Sequence, residues 1–171
     1  LKARGYTLIE LLVVVSIASI VVFIAVPSIR DAFYYDNLNR AASIISDTYM
    51  VLKRDASRES VDYILGCDLK RKAIFTYSED MTTEKRDERK KMAQYLPGGV
   101  TIRDIYILGK GEFVDGEVHI AFSASGYTQP TIIHLTEKGK VLTIFLEPLL
   151  QKVKISPEDV GINYFLGSYN S

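Results

Sequence analysis

The sequence predicts an α+β protein in which one long N-terminal helix packs on an antiparallel β-sheet. Three observations predict it. Tyr6–Val26 is an apolar run whose only charge is Glu10. Beyond Pro27, apolar residues recur at spacings of three and four as far as Ala56, the stripe of a helix with one buried face. From Val61 the period shortens towards two, and glycine turn pairs separate the runs, as in short strands joined by tight turns.

The first element is a membrane helix. Its 21 residues, at ~1.5 Å each, cover the ~30 Å hydrocarbon core of a bilayer. Lys2 and Arg4 flank its N-terminal end, which predicts that this end stays cytoplasmic and the bulk of the chain is exported. A cleaved secretory signal is the competing reading. The run exceeds the ~7–15 residues of such a segment, and no small-x-small cleavage site follows it. Glu10 is costly in this setting: a carboxylate deep in a bilayer loses about 2.5–3.5 kcal/mol on insertion scales. It therefore calls for a cationic partner, and it marks the helix as one that ends against another subunit.

The second half of the helix carries Tyr34, Leu38, Ala41, Ile45, Tyr49, Leu52 and Ala56 on one face, with Arg30, Asp36, Arg40, Ser43, Asp47 and Arg54 on the others. Pro27 removes one backbone donor and is expected to bend the helix without ending it. A continuous helix from Tyr6 to about Ala56 would run on the order of 75 Å. The stripe is read as core packing.

Strands are expected at Val61–Leu65, Lys72–Tyr77, Val100–Leu108, Glu117–Ser123, Pro130–Leu135, Val141–Phe145 and Val153–Ile155. Asp115-Gly116 and Lys138-Gly139 supply turns between neighbouring strands. The run from Glu79 to Lys91 balances five acids against five bases, so it reads as a solvated loop or short helix, with Asp87 and Lys91 placed to pair at i,i+4.

Little in the sequence points to catalysis. His119 and His134 lie in β-alternating stretches and read as core-edge or surface residues; without an acidic or cysteine ligand pattern they define no metal site. Ser123-Ala124-Ser125-Gly126 lacks the nucleophile elbow of hydrolases. Gly109-Lys110-Gly111 precedes no helix, so it is a turn and no phosphate cradle. Asp115 and Glu117 flank a turn glycine and are read as turn residues. Cys67 is the single cysteine, and the formal net charge of +0 disfavours capture of nucleic acid. No cofactor, metal or catalytic residue is expected.

The N-terminal residues carry a resemblance. Arg4-Gly5-Tyr6-Thr7-Leu8-Ile9-Glu10-Leu11-Leu12-Val13-Val14 resembles the processing motif of type IV prepilins and type II secretion pseudopilins. The resemblance implies that a prepilin peptidase cuts between Gly5 and Tyr6, where the family usually has Phe or Met after the cut, and methylates the new amino terminus at Tyr6. It implies that Glu10 sets register in assembly and that Pro27 is the family's helix-kinking proline. The amine at Tyr6 would reach Glu10 of a neighbouring subunit, or, one turn away, Glu10 of its own helix; the family pattern favours the neighbour. Further along, Val118 to Gly126, then Ile132–Leu135 and Val141–Ile144, are similar to H-type minor pseudopilins and the related FimT-like minor pilins. Pro148–Ile155 resembles their last strand, without the glycine that usually precedes it.

The resemblance therefore implies a pilin-like fold: residues 1–5 as leader, 6–26 as the membrane-spanning helix, 27–57 as its amphipathic continuation, and 58–171 as a periplasmic β-rich domain. It implies a structural subunit of a type II secretion pseudopilus. The partners would be other pseudopilins or pilins, the prepilin peptidase, the inner-membrane assembly platform and, before assembly, membrane lipid. A minor pilin of a type IV pilus or DNA-uptake machine is the alternative within that class. A membrane-anchored periplasmic binding protein or enzyme is the alternative outside it.

Overall fold

The computed structural model describes residues 8–148, 153–161 and 163, with 23–35 described by backbone alone. The chain divides into two compact units, residues 1–36 and 37–171. Helix α1 (Leu8–Glu59) contributes to both.

In the second unit, Leu38, Ala41, Ala42, Ile45, Tyr49, Leu52 and Ala56 of α1 are all buried, so the three-and-four spacing is the core face of the helix. After α1 come β1 (Tyr63–Asp68), β2 (Ala73–Ser78), α2 (Thr83–Lys91), β3 (Gln94–Tyr95), β4 (Thr101–Ile107), β5 (Gly111–Phe113), β6 (Glu117–Phe122), β7 (Thr131–Glu137), β8 (Lys140–Leu146) and β9 (Lys154–Ser156). All seven expected strands are present, and β3 and β5 are additions of two and three residues.

The strands form two antiparallel sheets in place of the single one expected. The first has the order β3-β2-β1-β6 and the second β5-β4-β7-β8-β9. Lys138-Gly139 is a hairpin turn, as expected: Glu137 pairs with Lys140, and positive φ at both central residues (46° and 81°) gives the primed turn that matches strand twist. Gly109 similarly turns β4 into β5. Asp115-Gly116 differs from expectation, because it carries the chain from β5 in one sheet to β6 in the other.

Each sheet has an apolar inner face, and both faces join one core with α1. The first contributes Leu65, Cys67, Ile74, Val118, Ile120 and Phe122; the second contributes Ile102, Ile105, Ile107, Ile133, Leu135, Leu142, Ile144 and Leu146. A register shift between Ile102 and Asp104 lets Ile102 and Ile105, three apart, both point inward. Tyr49 stacks edge-on to Phe122 at 5.5 Å and donates to the Glu147 carbonyl at 2.7 Å, so a buried aromatic keeps its hydroxyl satisfied.

Candidate functional site

The expected assembly residues lie at the start of the chain. Gly5 and Tyr6 are outside the described residues. Glu10 stands near the start of α1 and is exposed, as is every described side chain from Leu8 to Val22. Among them are Leu8 at 84% and Leu11 at 64% relative exposure, values that decide the surroundings of this segment. A run of apolar side chains so exposed is far beyond an ordinary surface patch and requires cover by lipid or another chain. Among the described residues no helix is long and apolar enough to cross a membrane. The span 6–26 expected to do so extends past the described side chains on both sides. Pro27 falls within α1, and its side chain lies outside the description.

A second constellation went unrecognised in the sequence. The two histidines occupy different sheets and do not face each other. His119, on β6, is partly exposed and lies 2.5 Å from the Glu117 carboxylate, which in turn meets Lys90 at 2.7 Å. His134, on β7, is 5% exposed, which excludes the surface placement and leaves the core-edge one of the two expected for it. It faces the outer side of the second sheet, opposite Asp104 on β4, and its Nδ1 bonds the Asp104 carboxylate. Its Nε2 lies 3.1 Å from the Val160 carbonyl. Arg103, the residue at the register shift, donates to Asp104 at 2.6 Å and grips Asp159 through two bonds of 2.6 and 2.9 Å.

The charge states in this cluster support one another. Burial alone would push the His134 imidazole down, but the bonds to Asp104 and Val160 outweigh it and hold the group above its ordinary value. Burial would likewise raise the Asp104 carboxyl, and the His134 and Arg103 donors overcome it and hold it low. What could have revealed the site is the pattern itself: a histidine in Ile132-Ile133-His134-Leu135, and an aspartate among apolar residues in Ile102-Arg103-Asp104-Ile105. Both are buried polar residues on strands beside buried isoleucines, and a polar residue so placed needs a partner.

The charged run folds as α2, with no buried residue. Among the described residues Asp87 and Lys91 form no ion pair; Lys90 reaches Glu117 instead, and stands over the Phe75 ring at 5.5 Å. Arg86 stands over Tyr77 at 5.2 Å. The helix thus rests on the outer face of the first sheet through cation–π contacts. Asp115 bonds its neighbour's Gly116 amide and pairs with Lys70 at 3.2 Å, the role of a turn residue. Among the described residues no group of three or more His, Cys, Asp or Glu side chains is arranged to hold a metal ion.

The comparisons bear on both ends of this architecture. Residues 1–26 match the prokaryotic N-terminal methylation motif. The fold is similar to the crystal structure of the minor pseudopilin EpsH from the type II secretion system of Vibrio cholerae, at 14% identity and a TM-score of 0.53, over 74% of this chain and 98% of that one. It is likewise similar to a second structure of EpsH from that organism, at 12% identity and a TM-score of 0.54, over 73% and 99%. No curated protein matches the chain in sequence. At such identities the structural likeness speaks for fold. The chain thus carries a prokaryotic N-terminal methylation motif on the helix that leads into a domain with the fold seen in the EpsH structures.

Proposed function

We propose that the chain is a minor pseudopilin, a structural subunit of a type II secretion pseudopilus and not an enzyme. It enters the inner membrane through Tyr6–Val26 with its N-terminus cytoplasmic and its β-rich domain periplasmic. A prepilin peptidase cuts between Gly5 and Tyr6 and methylates Tyr6. The subunit then leaves lipid for a filament of other pseudopilins on the inner-membrane assembly platform. Glu10 meets the amino terminus of a neighbour's Tyr6, because a carboxylate leaving water needs a fixed cation, and Pro27 gives the helix its bend for parallel packing.

The observation that carries this reading is the conjunction on one helix: the methylation motif over residues 1–26, and an exposed apolar run from Leu8 to Val22 around a single carboxylate. A mere membrane anchor needs the apolar run but has no use for the motif. Mass spectrometry of the chain co-expressed with a prepilin peptidase tests it. The mature protein should begin at methylated Tyr6, and the Gly5→Val protein should retain its first five residues. Loss of those five residues from the Gly5→Val protein would refute the processing assignment.

A further inference from the structure

After β9, the segment 156–161 folds back across the outer face of the second sheet and meets three strands in turn. On β8, the Thr143 hydroxyl donates to the Glu158 carbonyl at 2.6 Å and accepts from the Val160 amide at 3.3 Å. On β7, His134 meets the Val160 carbonyl, and on β4, Arg103 grips Asp159. Among the described residues no backbone–backbone bond ties 157–161 to the sheet. The strap is therefore held by side chains and can lift without breaking a ladder. Beneath it lie Ile132 and Phe145, fully buried, with Val160 packed on them.

His134 supplies one of these five bonds and joins the strap to Asp104, and its two partners restrict its chemistry. An ionised carboxylate and a backbone carbonyl can only accept. A neutral imidazole has one N–H, so it satisfies one of them and turns a lone pair on the other. Only the imidazolium donates to both. Arg103, bonded to the other oxygen of Asp104, keeps that carboxylate ionised. We propose that His134 is a protonation-dependent latch: as an imidazolium it bonds Asp104 and the Val160 carbonyl together and pins 156–161 over the second sheet, and loss of one proton loosens the strap over the Ile132–Phe145 surface, leaving Arg103 and Thr143 as its remaining ties.

The groups facing the ring are Asp104 and Arg103 from β4, Asp159 and the Val160 carbonyl from the strap, and the neutral Thr143 from β8. Arg103 opposes the imidazolium and the two carboxylates favour it. The raised value of His134 fixes the sign. The latch is fully closed below the ordinary imidazole range and opens as pH rises through the higher folded value. At the acid end it opens again as Asp104 and Asp159, both held low, take up protons.

The test uses the full chain in detergent micelles with 15N-labelled histidine. At about pH 6.5, both His134 nitrogens should show imidazolium shifts. As the ring titrates, the Val160 amide should lose about tenfold in hydrogen-exchange protection, after correction for base catalysis, while Ile144 in the core keeps its own. A neutral His134 at that pH beneath a protected strap would overturn the latch, as would Val160 protection that does not change across the titration. In His134→Gln the step should vanish; a step persisting at the same pH would equally refute it. Should that variant fail to fold, the wild-type titration decides alone.

Discussion

Single residues in this domain are constrained by what surrounds them more than by what they are. Cys67 shows this. It stands on the inner face of the first sheet with no exposure, and burial pushes its thiol up to about 12. A thiol reacts as its thiolate, so near about pH 8 the folded protein should leave a maleimide untouched, and full labelling should follow denaturation in urea. Rapid stoichiometric labelling of the native chain would mean that this inner face opens readily. His134 makes the same point in the polar direction. In sequence it is an imidazole among isoleucines, and only Asp104, 30 residues away, and the Val160 carbonyl, 26 residues away, give it a role.

At the scale of elements, the period of the sequence identified the helix face and every longer strand, because those elements bury one side and the burial dictates the residue pattern. It could not find β3 and β5, which are too short to show a period, nor the division of the strands between two sheets. That division depends on which edges meet, and alternating sequences carry no record of it. The register shift at Arg103 leaves only one trace in the sequence, two consecutive polar residues between Ile102 and Ile105 where alternation would place one. The first sheet's outer face shows a further constraint that period alone misses. Gly66 sits directly opposite Phe75, and a Cβ there would come within 2.2 Å of the Phe75 ring. The glycine is a bed for that ring, which stacks on Tyr77 and meets His119 edge-on. Gly66→Ala should therefore destabilise the domain by about 1–3 kcal/mol in denaturant melts, the range of overpacking. The strain should be shared with Phe75, so Phe75→Ala should cost less in the Gly66→Ala background than in the wild type. Purely additive losses would show that the ring and the glycine do not communicate.

At the scale of the whole molecule, α1 serves two units with opposite demands. From Leu38 onward its apolar face is the centre of a core shared by both sheets, whereas from Leu8 to Val22 its apolar side chains are exposed. The first demand is met by the chain itself; the second requires lipid or other subunits. Substitutions along one helix should therefore sort into two classes. Ile45 has no exposure and belongs to the core shared with both sheets, so Ile45→Ala should destabilise by about 2–4 kcal/mol, as large-to-small core changes do, and lower the amount of protein that accumulates. Glu10 is exposed in the first unit, and Glu10→Ala should leave the thermal melt of the β-rich domain within about 0.5 kcal/mol of the wild type. Membrane insertion should persist, because removing a carboxylate from an apolar run favours insertion. What should disappear is incorporation into filaments, read by cross-linking to neighbouring subunits in cells that express the complete secretion machine. Normal cross-linking with Glu10→Ala would remove the assembly role from this carboxylate. Loss of cross-linking together with a lowered melt would assign it to folding instead.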